Sequence, residues 1–334
     1  MSGLPQPILI TGATGFIGGS LARRLISAGL RPRLLVRDPS RLDEELQAGC
    51  DLIVGDLANI MALRIAVRNA GMVFHCAANV NLYDTWENYY ETNVLGVRRL
   101  LQAIEHEGLP RGRFVHLSSV DVYGFPSTPC TENAPAAGGA FGYGRSKALG
   151  EIELREGAKR LDLSYVILRP TNVVGPRGQF IRRIGDELYA GLMLKVDHGR
   201  ADFGFLYIDN LLDCMLWAAE HPVAEHKCYN VRDPESVNWK RFIADLRDGI
   251  GGSGFVLNLP FALADAVALL LEFVWRMLRL RHEPLLHRLL VRIFGRTCGH
   301  DISLLRSAGA PLGGVGYAEA MRRSIAWYRE ASGR

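Results

Sequence analysis

A chain of 334 residues with 48% hydrophobic and 22% charged side chains has the composition of a well-packed globular protein, which excludes a mainly disordered one. Thirty-nine basic residues against 35 acidic ones leave a net charge of +4, too balanced for a nucleic-acid surface spread over the molecule. Cys50, Cys76, Cys130, Cys214, Cys228 and Cys298 form no CxxC pair, and the nearest histidine pairs, His221 with His226 and His282 with His287, do not share a helical face. No metal is therefore expected, and the thiols read as buried groups in a reducing, cytoplasmic compartment. The residues before Ile8 show no basic stretch leading into an apolar one, so no export signal is expected.

Short apolar runs come first: Ile8–Ile10, Arg33–Val36, Asp51–Val54, Met72–His75, Arg113–Leu117 and Tyr165–Leu168, separated by helical patterns. Runs rich in Val, Ile and Leu without polar alternation, joined by helical crossovers, predict an α/β fold with a doubly wound parallel sheet over residues 1–175. Further strands are expected up to about residue 230. Helical patterns at Gln179–Ala190, Asn210–Glu220 and Trp239–Ile250 then predict a smaller, mainly helical lobe over 176–334, lying across the carboxyl ends of the strands. That lobe includes an apolar segment, 255–296, read as helical.

The first strand runs into Thr11-Gly12-Ala13-Thr14-Gly15-Phe16-Ile17-Gly18, and an amphipathic helix with Leu21, Leu25 and Ile26 follows. A glycine turn between strand and helix lets a pyrophosphate approach the backbone and sit on the free N–H groups of the helix N-terminus. Thr11, Gly12, Gly15, Phe16, Ile17 and Gly18 are thus candidate dinucleotide contacts. The second strand ends Val36-Arg37-Asp38, without the acid that binds both ribose hydroxyls of NAD; Arg37 suits a 2′-phosphate, so NADP is preferred over NAD. The alternative is a solvated Arg37 with Asp38 capping the next helix. Asp56 and Leu57 at the third strand end suit the adenine, and Ala77 and Ala78 after the fourth leave room for the cofactor.

The fifth strand leads into Ser118-Ser119-Val120-Asp121, and 24 residues after Ser119 comes Tyr143-Gly144-Arg145-Ser146-Lys147. Four residues apart on a helix, Tyr143 and Lys147 share a face. A phenol is a poor base near neutrality, and the ammonium of Lys147 would favour its phenolate. Tyr143 then serves as general acid or base on the reacting oxygen, Ser119 as its hydrogen-bond partner, and Lys147 as tuner and ribose anchor.

Through TGATGFIG, GDL, HCAA, ETNVLG, HLSSVDVYG, YGRSK and LRPTNVVGPR, roughly residues 7 to 230 resemble the extended short-chain dehydrogenases/reductases of the NAD-dependent epimerase/dehydratase superfamily, with its Rossmann-type fold. NLYDTWENYYETNVLGVRRLL and FLYIDNLLDCMLWAAE look most like the 3β-hydroxysteroid and sterol dehydrogenase branch. The resemblance implies a role for Ser118 and Asn93 near the cofactor, Pro170, Asn172 and Val173 at the nicotinamide end, and a homodimer through helices near 85–107 and 141–160. Asn93 also reads as a polar helix residue bonded to backbone. Tyr83, Trp86, Tyr89 and Tyr90 are either substrate walls or packing residues.

The reaction expected is interconversion of a secondary alcohol and a ketone on a hydrophobic substrate, 3β-hydroxysteroid-like, sterol-like or β-keto/β-hydroxy. A nucleotide-sugar epimerase and a redox-idle cofactor sensor are the alternatives. Against the epimerase group stand two departures. The acid pair that similar dehydratases carry is reduced to Val120 and Asp121, and Phe203 stands where nucleotide-sugar enzymes commonly hold a diphosphate-binding arginine four residues ahead of Tyr207, with Arg200 the nearest shifted substitute.

From Leu259 to Leu280 apolar residues occupy nearly every helical face, and Arg276, Arg279, Arg281, Arg288, Arg292 and Arg296 follow. Two readings stay open: a helix docked peripherally in a membrane headgroup layer, or a lid buried against the substrate lobe. Both imply an apolar pocket.

Overall fold

The computed structural model describes all residues except 1, 2, 109, 111, 127, 137, 140, 279, 281, 296–298 and 334; Arg279, Arg281, Arg296 and Cys298 thus lie outside the described residues. In chain order the strands are β1 (Ile8–Thr11), β2 (Arg33–Val36), β3 (Asp51–Val54), β4 (Met72–His75), β5 (Phe114–Leu117), β6 (Tyr165–Pro170), β7 (Asn172–Val174), β8 (Leu192–Val196), β9 (Phe205–Tyr207), β10 (Lys227–Val231) and β11 (Phe255–Leu259). The helices are α1 (Phe16–Ser27), α2 (Glu44–Gly49), α3 (Ile60–Val67), α4 (Trp86–Tyr90), α5 (Gly96–Glu107), α6 (Gly142–Leu161), α7 (Gln179–Ala190), α8 (Ile208–Glu220), α9 (Trp239–Ile250), α10 (Phe261–Met277), α11 (Arg288–Gly295), α12 (Ser303–Ser307) and α13 (Tyr317–Ser332).

Seven strands form one sheet in the order β10-β6-β5-β4-β1-β2-β3, every neighbouring pair parallel. Alternate side chains supply two separate cores. Ile8 and Ile10 of β1, Met72 and Phe74 of β4, and Val115 and Leu117 of β5 face Leu21 and Leu25 of α1 and Leu211 and Met215 of α8. Leu9, Val73 and Phe114 face the other way, onto Leu63 of α3, Leu100 of α5 and Leu154 of α6. A strand buried on both faces has no polar alternation, which is why these runs were continuous in the sequence.

The chain leaves β1 for β2 on one side and reaches β4 on the other, so the switch point where ligands bind such sheets lies at the ends of β1 and β4, in register at Thr11 and His75. Two small parallel pairs, β8 with β11 and β7 with β9, lie outside that sheet.

The segment from residue 255 is not helical throughout. Phe255–Leu259 pairs with Leu192–Val196, and Pro260, whose fixed φ suits a helix start, turns the chain into α10. Nor is α10 a buried lid, since its buried side chains are Phe261, Ala264 and Ala268. No helix among the described residues is long and apolar enough to cross a membrane.

Trp239 at the start of α9 ties this lobe together. Its indole donates to the carbonyl of Ile293 at 3.1 Å, and its ring lies 4.0 Å from Phe294 and 4.7 Å from Phe203, centroid to centroid. Trp239→Ala removes those contacts from a fully buried site and is expected to lower stability by about 3–5 kcal/mol, measured by urea unfolding.

Candidate active site

Gly12 adopts φ +77° at the end of β1, and a Cβ there would meet the Ala77 amide nitrogen at 2.6 Å. Only glycine fits between the two strand ends. A Cβ on Gly18 would lie 2.5 Å from the Gly12 carbonyl oxygen, so the third glycine lets α1 sit down on the turn. Gly15 caps α1 without any side-chain hydrogen bond, and the first turn carries no acid. Its N–H groups and positive dipole end are left facing the turn, a fit for a pyrophosphate. Phe16 and Ile17 open that helix, and the Phe16 ring borders the turn at Gly175 and Gly178.

The Thr11 hydroxyl is engaged within the sheet. It bonds the His75 ring at 2.8 Å and accepts from the Ala77 amide, stitching β1 to β4 and fixing the backbone of Ala77 and Ala78 beside the glycine turn. At the end of β2, Arg37 is exposed, while Asp38 accepts from the amide and hydroxyl of Ser40 and caps the short helical turn Pro39–Arg41. At the end of β3, Asp56 accepts from the amides of Ala58 and Asn59, leading the chain toward α3, and Leu57 is buried against Gly96.

Asn93 is buried in a π-helical turn between α4 and α5. Its amide group accepts from the Asn79 amide nitrogen at 2.7 Å and donates to the Asn79 carbonyl and the Ser146 hydroxyl. Asn93 thus bolts the loop after β4 to α6 through the Asn79 backbone and the Ser146 side chain. Of the four aromatics, Tyr89 is buried beside Tyr143 with its hydroxyl on the Asn81 carbonyl, and Trp86 lies under the Arg145 guanidinium. Trp86 also packs against Tyr90, and Tyr83 reaches His287 ahead of α11.

The three catalytic candidates converge. Ser119 ends β5's loop with its hydroxyl donating to Asp121 Oδ2 at 2.9 Å and accepting from the Asp121 amide, and it lies close enough to the Tyr143 phenol to influence its proton. Tyr143 and Lys147 lie on the buried face of α6, and the Lys147 amine donates to the Leu117 carbonyl at 2.5 Å. Burial raises the Tyr143 pKa, Asp121 raises it further, and the bond from Ser119 opposes them. The expected lowering of the phenol by Lys147 is thus not met within the chain itself, because desolvation is the larger effect and the amine points at Leu117. Burial also pushes Lys147 down to about 8, against the pull of Glu151.

Behind this centre lies a network the sequence reading did not anticipate. Arg169 grips Glu151 with two bonds of 2.8 and 2.6 Å and donates to the Tyr123 hydroxyl, which donates to Asn230; Ser118 donates to Glu151 at 2.5 Å. Ser118 is therefore occupied structurally. The available signal was Glu151 itself, one helical turn beyond Lys147 on the same face.

Beyond Ser119 a small cavity of about 30 Å³ is lined by Val120, Asp121, Phe125, Asn172, Phe203, Ile293 and His300, among others. Asn172 donates to the Phe203 carbonyl, and Pro170 and Val173 lie on either side of Thr171 and Asn172 in β6 and β7. A larger hollow of about 420 Å³, bordered by Gly3, Met72, Arg113 and Glu225, opens at the amino ends of the strands. The first is the one joined to the chemistry, since ligands bind such sheets at the carboxyl ends. Among the described residues no histidine, cysteine and carboxylate group is arranged to hold a metal.

A glycine turn at the switch point, with serine, tyrosine and lysine gathered at the next strand end, defines a dinucleotide-dependent enzyme. The model of the NAD dependent epimerase/dehydratase family matches residues 8–231, and the chain belongs to that family; it is a nicotinamide-dependent enzyme acting at CH–OH or keto carbons. It is similar to 2-alkyl-3-oxoalkanoate reductase of Stenotrophomonas maltophilia (29% identical, covering 85% of this chain and 87% of that protein) and to UDP-glucose 4-epimerase of Vibrio cholerae (28%, 77% and 80%). The fold resembles UDP-glucuronic acid 4-epimerase from Bacillus cereus in complex with NAD, with a TM-score of 0.74 at 22% identity over 97% of this chain and 99% of that one.

The low Lys147 pKa has a measurable consequence. Between about 8 and the ordinary lysine value, the unfolded chain binds a proton that the folded chain does not, so stability rises with pH across that window. Comparing urea unfolding of the native chain with Lys147→Met from pH 7 to 10 is expected to show a rise of about 3 kcal/mol present only in the former.

Proposed function

We propose that the protein interconverts a ketone and a secondary alcohol on an apolar substrate of β-keto/β-hydroxy or sterol-like type. One observation carries the reading. Phe203, in the place where nucleotide-sugar enzymes commonly hold a diphosphate-binding arginine, is fully buried, stacked 4.1 Å from Phe242 and bordering the cavity. Arg200 does not replace it, since that side chain is exposed and donates to the Asp197 carbonyl. A diphosphate brought there would meet the aromatic carbon of Phe203 and the carboxylate of Asp202, and the nearby guanidinium of Arg232 is already engaged by that carboxylate at 2.7 Å. The similarity to an oxoalkanoate reductase supports the same reading.

The dinucleotide supplies the hydride in reduction and takes it up in oxidation. Tyr143 hands its proton to the carbonyl oxygen as it becomes an alcohol, and recovers it in the reverse direction. Ser119 donates to that oxygen and holds it in place, and Lys147 anchors the ribose. The exposed guanidinium of Arg37, with Asp38 turned onto Ser40, supports NADP as the preferred form.

Tyr143→Phe is expected to lower turnover roughly 10²- to 10⁴-fold while leaving dinucleotide affinity within about twofold, read by reduced-nicotinamide absorbance over a panel of apolar ketones and alcohols. Isomerisation of a UDP-sugar without net redox change would replace this reading with the epimerase one. Fluorescence titration is expected to give tighter binding of NADPH than NADH by roughly tenfold or more, a gap that Arg37→Ala closes. Tighter NADH binding by the native chain would reverse the cofactor assignment.

A further inference from the structure

The face of α10 turned away from the protein is an apolar stripe without a partner. Leu263, Val267, Leu270, Phe273 and Met277 follow one another at helical spacing, with Leu270, Phe273 and Met277 each more than 60% exposed, and Leu278 at the helix end is exposed as well. Such a surface is far larger in apolar character than the isolated exposed side chains every protein carries. Its inner side is different. Asp265 pairs with Arg288 and Arg292, and Glu272 accepts from the amide of Arg288, so both acids of the helix are directed onto α11. The remaining charged group of α10, Arg276, is 76% exposed and flanks the stripe, with a loose ion pair to Glu272 at 4.0 Å. The outward stripe is therefore apolar, with no acid in it and an exposed arginine at its edge.

We propose that this face docks on an anionic lipid surface, α10 lying parallel to it with its apolar stripe among the acyl chains and Arg276 at the phosphates. The charge pattern selects this occupant. A second copy of the chain would set the same arginine-bearing helix end against itself, whereas anionic headgroups add counter-charge to an Arg276 that is 76% exposed and held only at 4.0 Å by Glu272. The sequence adds Arg279 and Arg281 immediately after the helix. With 17 residues and three charges α10 is too short and too polar to span a bilayer, but it has the composition of a helix that lies in the interface.

The placement also gives docking a purpose, and this part rests on the reductase reading above. α11 is packed beneath α10 and contributes Ile293 to the catalytic cavity, while its leading His287 meets Tyr83 from the loop after β4. One helix diameter, about 10–12 Å, thus separates the lipid-facing stripe from the wall of the cavity. An apolar ketone dissolved in the bilayer would reach the site without crossing water.

Flotation of the full-length protein with vesicles tests the docking independently of turnover. Vesicles of phosphatidylglycerol and phosphatidylcholine in equal parts are expected to carry most of the protein upward at low salt, and vesicles of phosphatidylcholine alone at least fivefold less. The variant Leu270→Ser/Phe273→Ser/Met277→Ser changes only exposed side chains and is expected to lose flotation while keeping its thermal midpoint and its turnover of a short water-soluble ketone. Arg276→Glu is expected to lose the preference for anionic vesicles; this single exposed change serves if the triple variant fails to fold. No flotation of the native chain, or equal flotation of native chain and variants, would overturn the proposal. So would a native chain that does not float but runs as a dimer where the triple variant is a monomer, since the face would then join two copies. Loss of all turnover with flotation intact would instead count against the reductase reading alone.

Discussion

The grip of Arg169 on Glu151 is the interaction on which the site depends. Both side chains are almost wholly buried, at 3% and 2% exposure, and each belongs to a different element: Glu151 to the helix that carries Tyr143 and Lys147, Arg169 to the neighbouring strand β6. Glu151 also holds Ser118, which precedes Ser119 in the chain, and Arg169 reaches through Tyr123 to Asn230 in β10. Two charges taken out of water are costly to leave unpaired, so removing either partner of such a pair typically destabilises by 3–5 kcal/mol. The pair therefore adds little net stability but admits one arrangement of β5, β6 and α6, the arrangement in which serine, tyrosine and lysine converge. α6 approaches its neighbours closely enough for this because Gly150 faces the Asn93 carbonyl, where a Cβ would lie 2.4 Å away.

Within that frame, burial decides the resting protonation of the centre. Desolvation favours the neutral phenol of Tyr143 and weakens the hold of Lys147 on its proton, and the half-buried carboxyl of Asp121 adds to the first effect. A phenol that keeps its proton is prepared to be a donor, the role that carbonyl reduction requires. Asp121 is itself raised by burial and tied to the Ser119 hydroxyl, so its protonation and the direction of that hydrogen bond are linked.

The sheet was legible because its inner strands are buried on both faces and even the exposed edge strand Asp51–Val54 keeps a short apolar run between helices. Met72–His75 and Asp51–Val54 matched residue for residue, whereas Leu192–Val196 and Phe255–Leu259 were missed or taken as helix. Each of these is a short apolar run whose only partner lies some sixty residues away, and periodicity cannot tell such a run from a piece of buried helix. Pro260 was the physical signal that separated strand from helix. At the site, Ser119, Tyr143 and Lys147, whose spacing is covalent, gather at the end of β5, and the glycine turn closes β1 against the start of the loop after β4. What sequence could not show was how polar side chains divide between ligand and scaffold. Thr11, Asp38, Asp56, Asn93 and Ser118 all spend hydrogen bonds on the protein's own backbone or side chains, and that choice depends on neighbours brought from elsewhere in the chain.

The sheet order also sets a timetable for synthesis. β6 pairs on one side with β5, made some fifty residues earlier, but its other neighbour is β10, with Tyr229 opposite Leu168, and Asn230 lies 107 residues after the Tyr123 whose hydroxyl it receives. At ordinary rates of translation, roughly 3–12 s pass between completion of β6 and of β10. During that interval the nascent sheet exposes one row of unpaired amides and carbonyls along an apolar strand, and the Arg169–Tyr123 connection stays open at its far end. An edge of that kind is a template for pairing with another chain. The same crossover that finishes the buried polar network thus makes the incomplete polypeptide a client for chaperones, and the enzyme cannot assemble its catalytic centre until two-thirds of it has been made.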